Sequence, residues 1–115
     1  MTMKQMTNMP PAGTKMVVVG GCGGMGRALV EAALAAELSV TVLDLARSID
    51  QSPPRAGVAA IACDLSDEQS VVAAFERIAA TWGSIDCLVN LAGYTGERIT
   101  VENLSVKEWD EITDC

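Results

Sequence analysis

The chain has 115 residues, a length that suits one domain with a modest hydrophobic core. Half of its residues are hydrophobic and 20% are charged, which favours a packed globular domain over a disordered chain. The formal net charge is -7, histidine is absent and the eight basic residues are scattered. Neither nucleic acid nor an anionic membrane surface is therefore expected as a partner.

No apolar stretch is long enough to cross a bilayer, and residues 1–14 contain no apolar signal-peptide core. We therefore expect a cytoplasmic protein, and we interpret residues 1–14 as a flexible N-terminal arm. The four cysteines lie far apart without a C-x-x-C pair or a histidine, so the sequence predicts neither a metal site nor a disulfide framework. Cys63 and Cys87 lie in apolar runs, which is typical of small buried side chains.

Short apolar runs rich in β-branched residues alternate with helical patterns along the chain. The predicted strands cover residues 16–19, 40–43, 58–63 and 85–90. The predicted helices cover residues 27–37 and 66–82, and a further helix is predicted from Ser105. Between residues 45 and 57 the pair Pro53-Pro54 limits any helix to a short one. Apolar strands that alternate with helices indicate a parallel sheet covered on both faces, the α/β class.

Cap residues and apolar stripes define the two longer predicted helices. Ser66 and Gln69 form a predicted capping box at the start of the second helix, and Gly83 stands where a left-handed C-terminal cap belongs. The residues predicted to face the core are Leu29, Ala32, Ala33 and Ala36 in the first helix and Val71, Phe75, Ile78 and Trp82 in the second.

Right-handed crossover connections place the strands in the order 3-2-1-4, a Rossmann-like doubly wound sheet. The direction of winding reverses after the third strand, so the two longer helices lie on opposite faces. Ligands of such sheets bind outside the carboxyl ends of the strands, at the switch point between strands 1 and 4. The segments that follow the strands are residues 20–26, Asp44, Asp64 and Asn90.

A glycine-rich turn links the first predicted strand to the first predicted helix. It consists of Gly20, Gly21, Cys22, Gly23, Gly24, Met25 and Gly26. Such a turn offers backbone N–H groups and a positive helix terminus to a pyrophosphate. Gly20 is expected to form the tight turn, Gly24 to let the backbone approach the ligand and Gly26 to let helix and strand pack closely. The alternative is that the glycines serve only the turn.

Two acids follow the second and third strands. Asp44, followed by Leu45, stands eighteen positions after Gly26, close to the offset of an acid that accepts hydrogen bonds from an adenosine ribose and repels a 2'-phosphate. A solvated acid at a strand end is the alternative. In Cys63-Asp64-Leu65 the carboxylate could accept from an adenine amino group while Leu65 packs on the ring. Alternatively, Asp64 supports the helix start at Ser66.

Asn90 ends the fourth strand. Its short amide side chain can tie neighbouring strand ends together, while Ala92 and Gly93 let the backbone pass close to a ligand.

These residues resemble a known family. The spacing G-x-x-x-G-x-G within residues 17–26 resembles the T-G-x-x-x-G-x-G signature of short-chain dehydrogenases/reductases. Asp44 is similar to their NAD-selecting acid, Cys63-Asp64-Leu65 to their adenine-site D-[VL] element, and Asn90-Leu91-Ala92-Gly93 to their N-N-A-G motif. From Lys15 onward the resemblance implies a partial NAD-binding Rossmann domain, with NADP disfavoured. It also implies that the parent protein transfers hydride to or from a small alcohol or carbonyl.

The chain departs from this pattern at three positions. Val19 replaces the usual Thr, Leu91 replaces the second Asn, and Leu38 stands where the family commonly has Gly after the first helix. If Leu38 adopted a left-handed conformation, it would cost roughly 1 kcal/mol.

The family's catalytic groups find no match here. Residues 106–115 resemble the segment that leads into an active-site Asn, while the catalytic Ser and the Tyr-x-x-x-Lys pair come later. The one tyrosine, Tyr94, is followed four positions on by Arg98 rather than Lys. We therefore predict no catalytic residue in these 115 residues and expect the chain alone to be inert. We also expect an unpaired sheet edge and a homo-oligomer.

Two other functions remain open. The chain could be a non-catalytic nucleotide-binding or interaction module. It could also be an S-adenosylmethionine methyltransferase, which shares a glycine loop and an acid after the second strand but fits the glycine spacing and Asn90 poorly.

Overall fold

A computed structural model describes residues 10–93 and residue 107. The elements in chain order are β1 (Lys15–Val19), α1 (Gly24–Ala35), β2 (Ser39–Asp44), α2 (Ala46–Gln51), β3 (Ala59–Ala62), α3 (Glu68–Trp82) and β4 (Cys87–Asn90). The four strands form one parallel sheet in the order β3-β2-β1-β4. This confirms the predicted α/β fold and strand order. Of the helix predicted from Ser105, the structure describes Lys107 alone, which is helical; Tyr94 and residues 1–9 lie outside the described residues.

β1 lies at the centre of the sheet and is buried on both faces. Alternate side chains of a strand point to opposite faces, so Met16 and Val18 join one core cluster while Val17 and Val19 join the other. The first cluster includes Val30 and Ala33 of α1, and the second includes Ala74 and Ile78 of α3. The sheet is therefore covered by α1 on one face and by α3 on the other.

α1 begins at Gly24, three residues before the predicted start. Its buried residues are Gly26, Val30 and Ala33, which follow the i, i+4, i+7 spacing of one helix face. Ala32, predicted to face the core, is exposed. Gly26 packs against the backbone of the preceding turn, and this contact fixes which side of the helix meets the sheet.

A Schellman motif ends α1. The N–H of Leu38 donates to the carbonyl of Ala33 at 3.0 Å, and the N–H of Glu37 donates to that of Leu34 at 3.0 Å. The left-handed residue of this motif is Glu37, with φ 64. The backbone strain that we expected at Leu38 therefore falls on Glu37, one residue earlier. Leu38 instead buries its side chain in the α1-side core.

The start of α3 also differs from the prediction. Asp67 is the N-cap, and its side chain accepts the N–H of Gln69 at 3.1 Å. The hydroxyl of Ser66 donates to Asp64 Oδ1 at 2.6 Å, so the predicted capping box does not form. A carboxylate one residue closer to the helix takes the N–H that the Ser hydroxyl was expected to bind.

The rest of α3 matches the sequence pattern. Val71, Phe75 and Trp82 pack around Ile78 on the α3-side core, and Gly83 follows the helix with φ 75. β3 and β4 are shorter than predicted, with four residues each. The residues before β1 are also bonded to the fold, since Gly13 donates to the carbonyl of Glu37 at 2.9 Å.

Candidate functional site

The glycine turn (residues 20–26) and the polar residues after the strands lie at one edge of the sheet. In the strand register Val19 is paired with Leu43 on one side and with Asn90 on the other, and Asp44 is paired with Ala62. The carboxyl ends of all four strands therefore meet at this edge, as the topology predicts for a ligand site.

Gly20 starts the turn with φ 80, a left-handed conformation that favours glycine. Its N–H donates to the carbonyl of Leu43 at 2.7 Å. A Cβ at this position would lie 2.8 Å from the backbone nitrogen of Ala92. Gly20 thus allows both the turn and the close approach of the chain after β4.

Gly21 has a packing role that the glycine motif does not predict. A Cβ there would lie 2.7 Å from Cγ1 of Val42, so this glycine lets the turn sit directly on β2. The signature leaves this position open, and only the packing shows the requirement.

The first turn of α1 presents free backbone donors. Its N-cap, Gly23, makes no side-chain cap bond, and no acid lies in the first turn. The first helical hydrogen bond runs from Arg27 N–H to the Gly23 carbonyl at 2.8 Å. Within residues 10–93, no acceptor is bonded to the N–H groups of Gly24, Met25 and Gly26. Three unsatisfied donors at the positive end of a helix can bind an anion.

The surface around these donors is open. A Cβ on Gly24 would meet nothing within 4 Å, and Met25 is 74% exposed. Gly24 is therefore not required by the packing of the described residues, in contrast to Gly20 and Gly21.

Asp44 is bonded to the glycine turn. Its Oδ2 accepts the Cys22 N–H at 3.1 Å, and its Oδ1 accepts the Leu45 N–H at 2.8 Å. The carboxylate is half-buried, so the alternative of a freely solvated acid does not describe it. Each oxygen retains capacity to accept another hydrogen bond.

The side chains of Cys22 and Cys63 point into the two cores rather than into the site, with 6% and 5% exposure. Burial raises the pKa of both thiols, and the charge of Asp44 raises the pKa of Cys22 further. Both are neutral core groups, and only their backbones take part in the edge. Cys63 N–H donates to the main-chain carbonyl of Asp44 at 2.8 Å.

Asp64 supports the turn before α3. Its Oδ1 accepts the N–H of Ser66 at 2.9 Å and the Ser66 hydroxyl at 2.6 Å, while its own N–H donates to Ser70 Oγ at 2.9 Å. The bonds from Ser66 lower the pKa of this exposed carboxyl. The structural role considered for Asp64 is thus present. Leu65 packs partly against the α3-side core, which leaves only part of its side chain accessible.

Asn90 closes a local turn, and among the residues that the structure describes its side chain bonds to no neighbouring strand. Its Oδ1 accepts the N–H of Ala92 at 3.0 Å. Leu91 N–H donates to the carbonyl of Val19 at 2.8 Å. These bonds hold the chain against Gly20, and Gly93 follows in the open.

Arg27 is a residue that the sequence did not single out. Its Nη1 donates to Ser52 Oγ at 2.7 Å and approaches the carbonyls of Ser52 at 3.3 Å and Pro53 at 3.1 Å. These bonds hold the segment that follows α2 against α1. The partners are 25 and 26 residues away in sequence, so no local pattern could have shown the contact.

No helix of the described residues is long and apolar enough to span a membrane. In residues 10–93 and at residue 107, no group of three or more acidic, Cys or His side chains is placed to hold a metal ion.

Comparisons with known proteins agree with this geometry. The family model described as short chain dehydrogenase matches residues 14–115. A 3beta-hydroxysteroid dehydrogenase from Mediterraneibacter gnavus is 34% identical over 87% of this chain and 38% of its own length. The ligand-free aldohexose dehydrogenase of Thermoplasma acidophilum superposes with a TM-score of 0.73 at 33% identity, covering 89% of this chain and 38% of that one.

A 3-ketoacyl-(acyl-carrier-protein) reductase from Brucella melitensis, solved in complex with NADH, superposes with a TM-score of 0.76 at 25% identity, over 90% of this chain and 43% of that one. The chain spans less than half the length of each of these proteins. The family match, the strand order and the glycine turn all support the same assignment, and the chain belongs to the short-chain dehydrogenase/reductase family.

Proposed function

We propose that this chain binds NAD and is the cofactor-binding part of an oxidoreductase that acts on an alcohol or a carbonyl compound. The observation that carries the proposal is the bare start of α1, with three unsatisfied N–H groups beside the carboxylate of Asp44. The superposition on a reductase in complex with NADH supports it. When bound, NAD would supply or accept a hydride.

The proposed contacts at this edge of the sheet fall into three groups, which would meet the pyrophosphate, the adenosine and the nicotinamide side of the dinucleotide. The N–H groups of Gly24, Met25 and Gly26 would donate to the pyrophosphate, helped by the positive helix end. Asp44 would accept from the adenosine ribose hydroxyls, with Leu45 beside it. The remaining proposed contacts are the turn residues Gly20, Cys22 and Gly23, the adenine-side residues Cys63, Asp64 and Leu65, and the nicotinamide-side residues Asn90, Ala92 and Gly93.

We further propose that the group that protonates the substrate oxygen comes from additional polypeptide. The relatives named above are more than twice as long as this chain, and the sequence has no histidine and no lysine four positions after Tyr94. The rival function, a non-catalytic nucleotide-binding module, shares the cofactor site and differs in lacking that group.

Binding of ADP-ribose tests the pyrophosphate site. Because a Cβ on Gly24 meets open space, Gly24→Val should fold normally while its side chain blocks the approach to the free donors. We expect its ADP-ribose affinity, measured by calorimetry, to fall at least about tenfold, the loss of one or two charge-assisted hydrogen bonds.

The matched control is Glu68→Val, because Glu68 is the first residue of α3 as Gly24 is of α1. This variant should bind ADP-ribose as the wild type does. Equal affinity in the wild type and Gly24→Val would remove the glycine turn from the site.

Cofactor choice is a second expectation. The carboxylate of Asp44 would repel a 2'-phosphate, so NAD should bind at least about tenfold more tightly than NADP. Arg47, exposed in α2, is the nearest rival contact in sequence. Both affinities should be measured in the wild type and in Arg47→Ala, where the ratio should change by less than about twofold. Tighter NADP binding by the wild type would refute the assignment of Asp44.

A further inference from the structure

The last residues of β2 contact the glycine turn. The side chain of Val42 occupies the space next to Gly21, and the carbonyl of Leu43 accepts the N–H of Gly20 at 2.7 Å. One of these contacts needs only a backbone carbonyl and the other an apolar side chain. Many sequences at the end of β2 could make both.

The next residue of β2 adds a contact that depends on its side chain. Asp44 Oδ2 accepts the N–H of Cys22 at 3.1 Å, while Oδ1 accepts the N–H of Leu45 at 2.8 Å. Two separate donors thus hold the two oxygens of one carboxylate. An Ala side chain has no acceptor, so Asp44→Ala would leave both donors without this partner.

Cys22 lies in a segment with little other side-chain restraint. Glycines stand on both sides of it, at Gly20, Gly21, Gly23 and Gly24, and glycine has the largest backbone freedom to lose on ordering. The buried thiol and the bond to Asp44 are therefore the side-chain interactions that fix this part of the turn.

From this geometry we propose that Asp44 is a positioning residue for the glycine turn. Through the N–H of Cys22 it holds the turn in the conformation that leaves the donors of Gly24 to Gly26 available to a pyrophosphate. This role is separate from a direct contact with ribose. The part concerning pyrophosphate rests on the proposed function, whereas the contact with Cys22 does not. A substitution of Asp44 meant to admit a 2'-phosphate would consequently loosen the turn as well.

The two roles predict opposite effects on a ligand that has no ribose. Replacing Asp44 by a neutral residue removes a negative charge near the site, and by charge alone this strengthens the binding of an anion. If Asp44 positions the turn, its replacement weakens that binding.

The test uses the full 115-residue chain, Asp44→Ala and the control Asp50→Ala. Asp50 is exposed in α2 and its side chain makes no hydrogen bond within the described residues, so its substitution changes the net charge equally. Amide hydrogen exchange of Cys22 is measured without ligand, and affinity for inorganic pyrophosphate is measured from backbone NMR shifts. In Asp44→Ala we expect Cys22 exchange at least about fivefold faster and a pyrophosphate Kd about 2- to 10-fold higher. In Asp50→Ala both should stay within about twofold of the wild type.

Unchanged exchange at Cys22, or pyrophosphate binding by Asp44→Ala that equals or exceeds that of the wild type, would overturn the proposal. If no protein binds pyrophosphate while Cys22 exchange accelerates, the contact with the turn is supported and the proposed function is contradicted. Should Asp44→Ala not fold, Asp44→Ser gives the same two readouts with a polar side chain that is shorter than Asp.

Discussion

Glu37 occupies the left-handed position of the Schellman motif after α1, with φ 64. A side chain in this conformation costs roughly 1 kcal/mol relative to glycine. The Glu37 side chain is exposed, and its main-chain carbonyl keeps its bond from Gly13 in any variant. We therefore expect Glu37→Gly to raise the free energy of unfolding by about 0.5–1 kcal/mol, measured by urea denaturation.

The same substitution in α3 should have the opposite effect. Glu76 is exposed in the middle of that helix, where Gly in place of Glu lowers stability by about 1 kcal/mol or less. Loss of stability in Glu37→Gly comparable to that in Glu76→Gly would mean that the left-handed turn carries no removable strain.

At the residue scale, spacing could predict Asp44 but not its partners. A carboxylate about twenty positions after a glycine motif is a pattern in the sequence. Its bond to the Cys22 N–H depends on the side-chain conformation at a strand end, which the sequence does not display. Near α3, Ser66 and Asp67 are both good caps in successive positions, and only the folded geometry shows that Asp67 takes the role.

At the element scale, the alternation of apolar strands and amphipathic helices was enough to predict all four strands, their order and the faces covered by the helices. The boundaries were less accurate. The start of α1 at Gly24 was not predicted, because the glycine-rich first turn has no apolar periodicity to mark it. β3 is one residue shorter at each end than predicted and β4 starts two residues later, because the pairing with β2 and β1 covers only four residues of each.

One connection between elements lies at the end of the sheet opposite the candidate site. Lys15 Nζ donates to the carbonyl of Trp82, the last residue of α3, at 3.0 Å. This part-buried bond satisfies a helix C-terminal carbonyl with a cation. We expect Lys15→Met to lower the free energy of unfolding by about 0.5–1.5 kcal/mol.

Arg77→Met is the control, since it removes an exposed cation from the same helix with no hydrogen bond from its side chain in the described structure. Thermal or urea unfolding should show a change within about 0.5 kcal/mol for this variant. Equal losses in Lys15→Met and Arg77→Met would show that net charge, and not the bond to Trp82, sets the effect.

For the whole molecule, we expect the 115-residue chain to consume no measurable NADH with ketones or aldehydes. A positioned general acid is worth about 10²- to 10⁴-fold, and orientation of the substrate supplies roughly 7–11 kcal/mol more. The sequence offers neither a histidine nor a Tyr-Lys pair at the family spacing. A mass-verified chain should be assayed beside a polypeptide extended through any downstream reading frame, and turnover at comparable rates would reveal a catalytic group within these residues.

The central position of β1 also bears on how the chain folds as it is synthesised. Its partner β2 follows closely, but the contact of Lys15 with Asp86, the residue before β4, joins residues 71 positions apart. Contacts so distant in sequence form slowly because a long loop must first close. At about 5–20 residues per second, a ribosome would expose the β1–α1–β2 unit for several seconds before β4 emerged. During that interval one edge of the most buried strand would be open, and chaperone binding or misassembly with another nascent chain would compete there with native pairing.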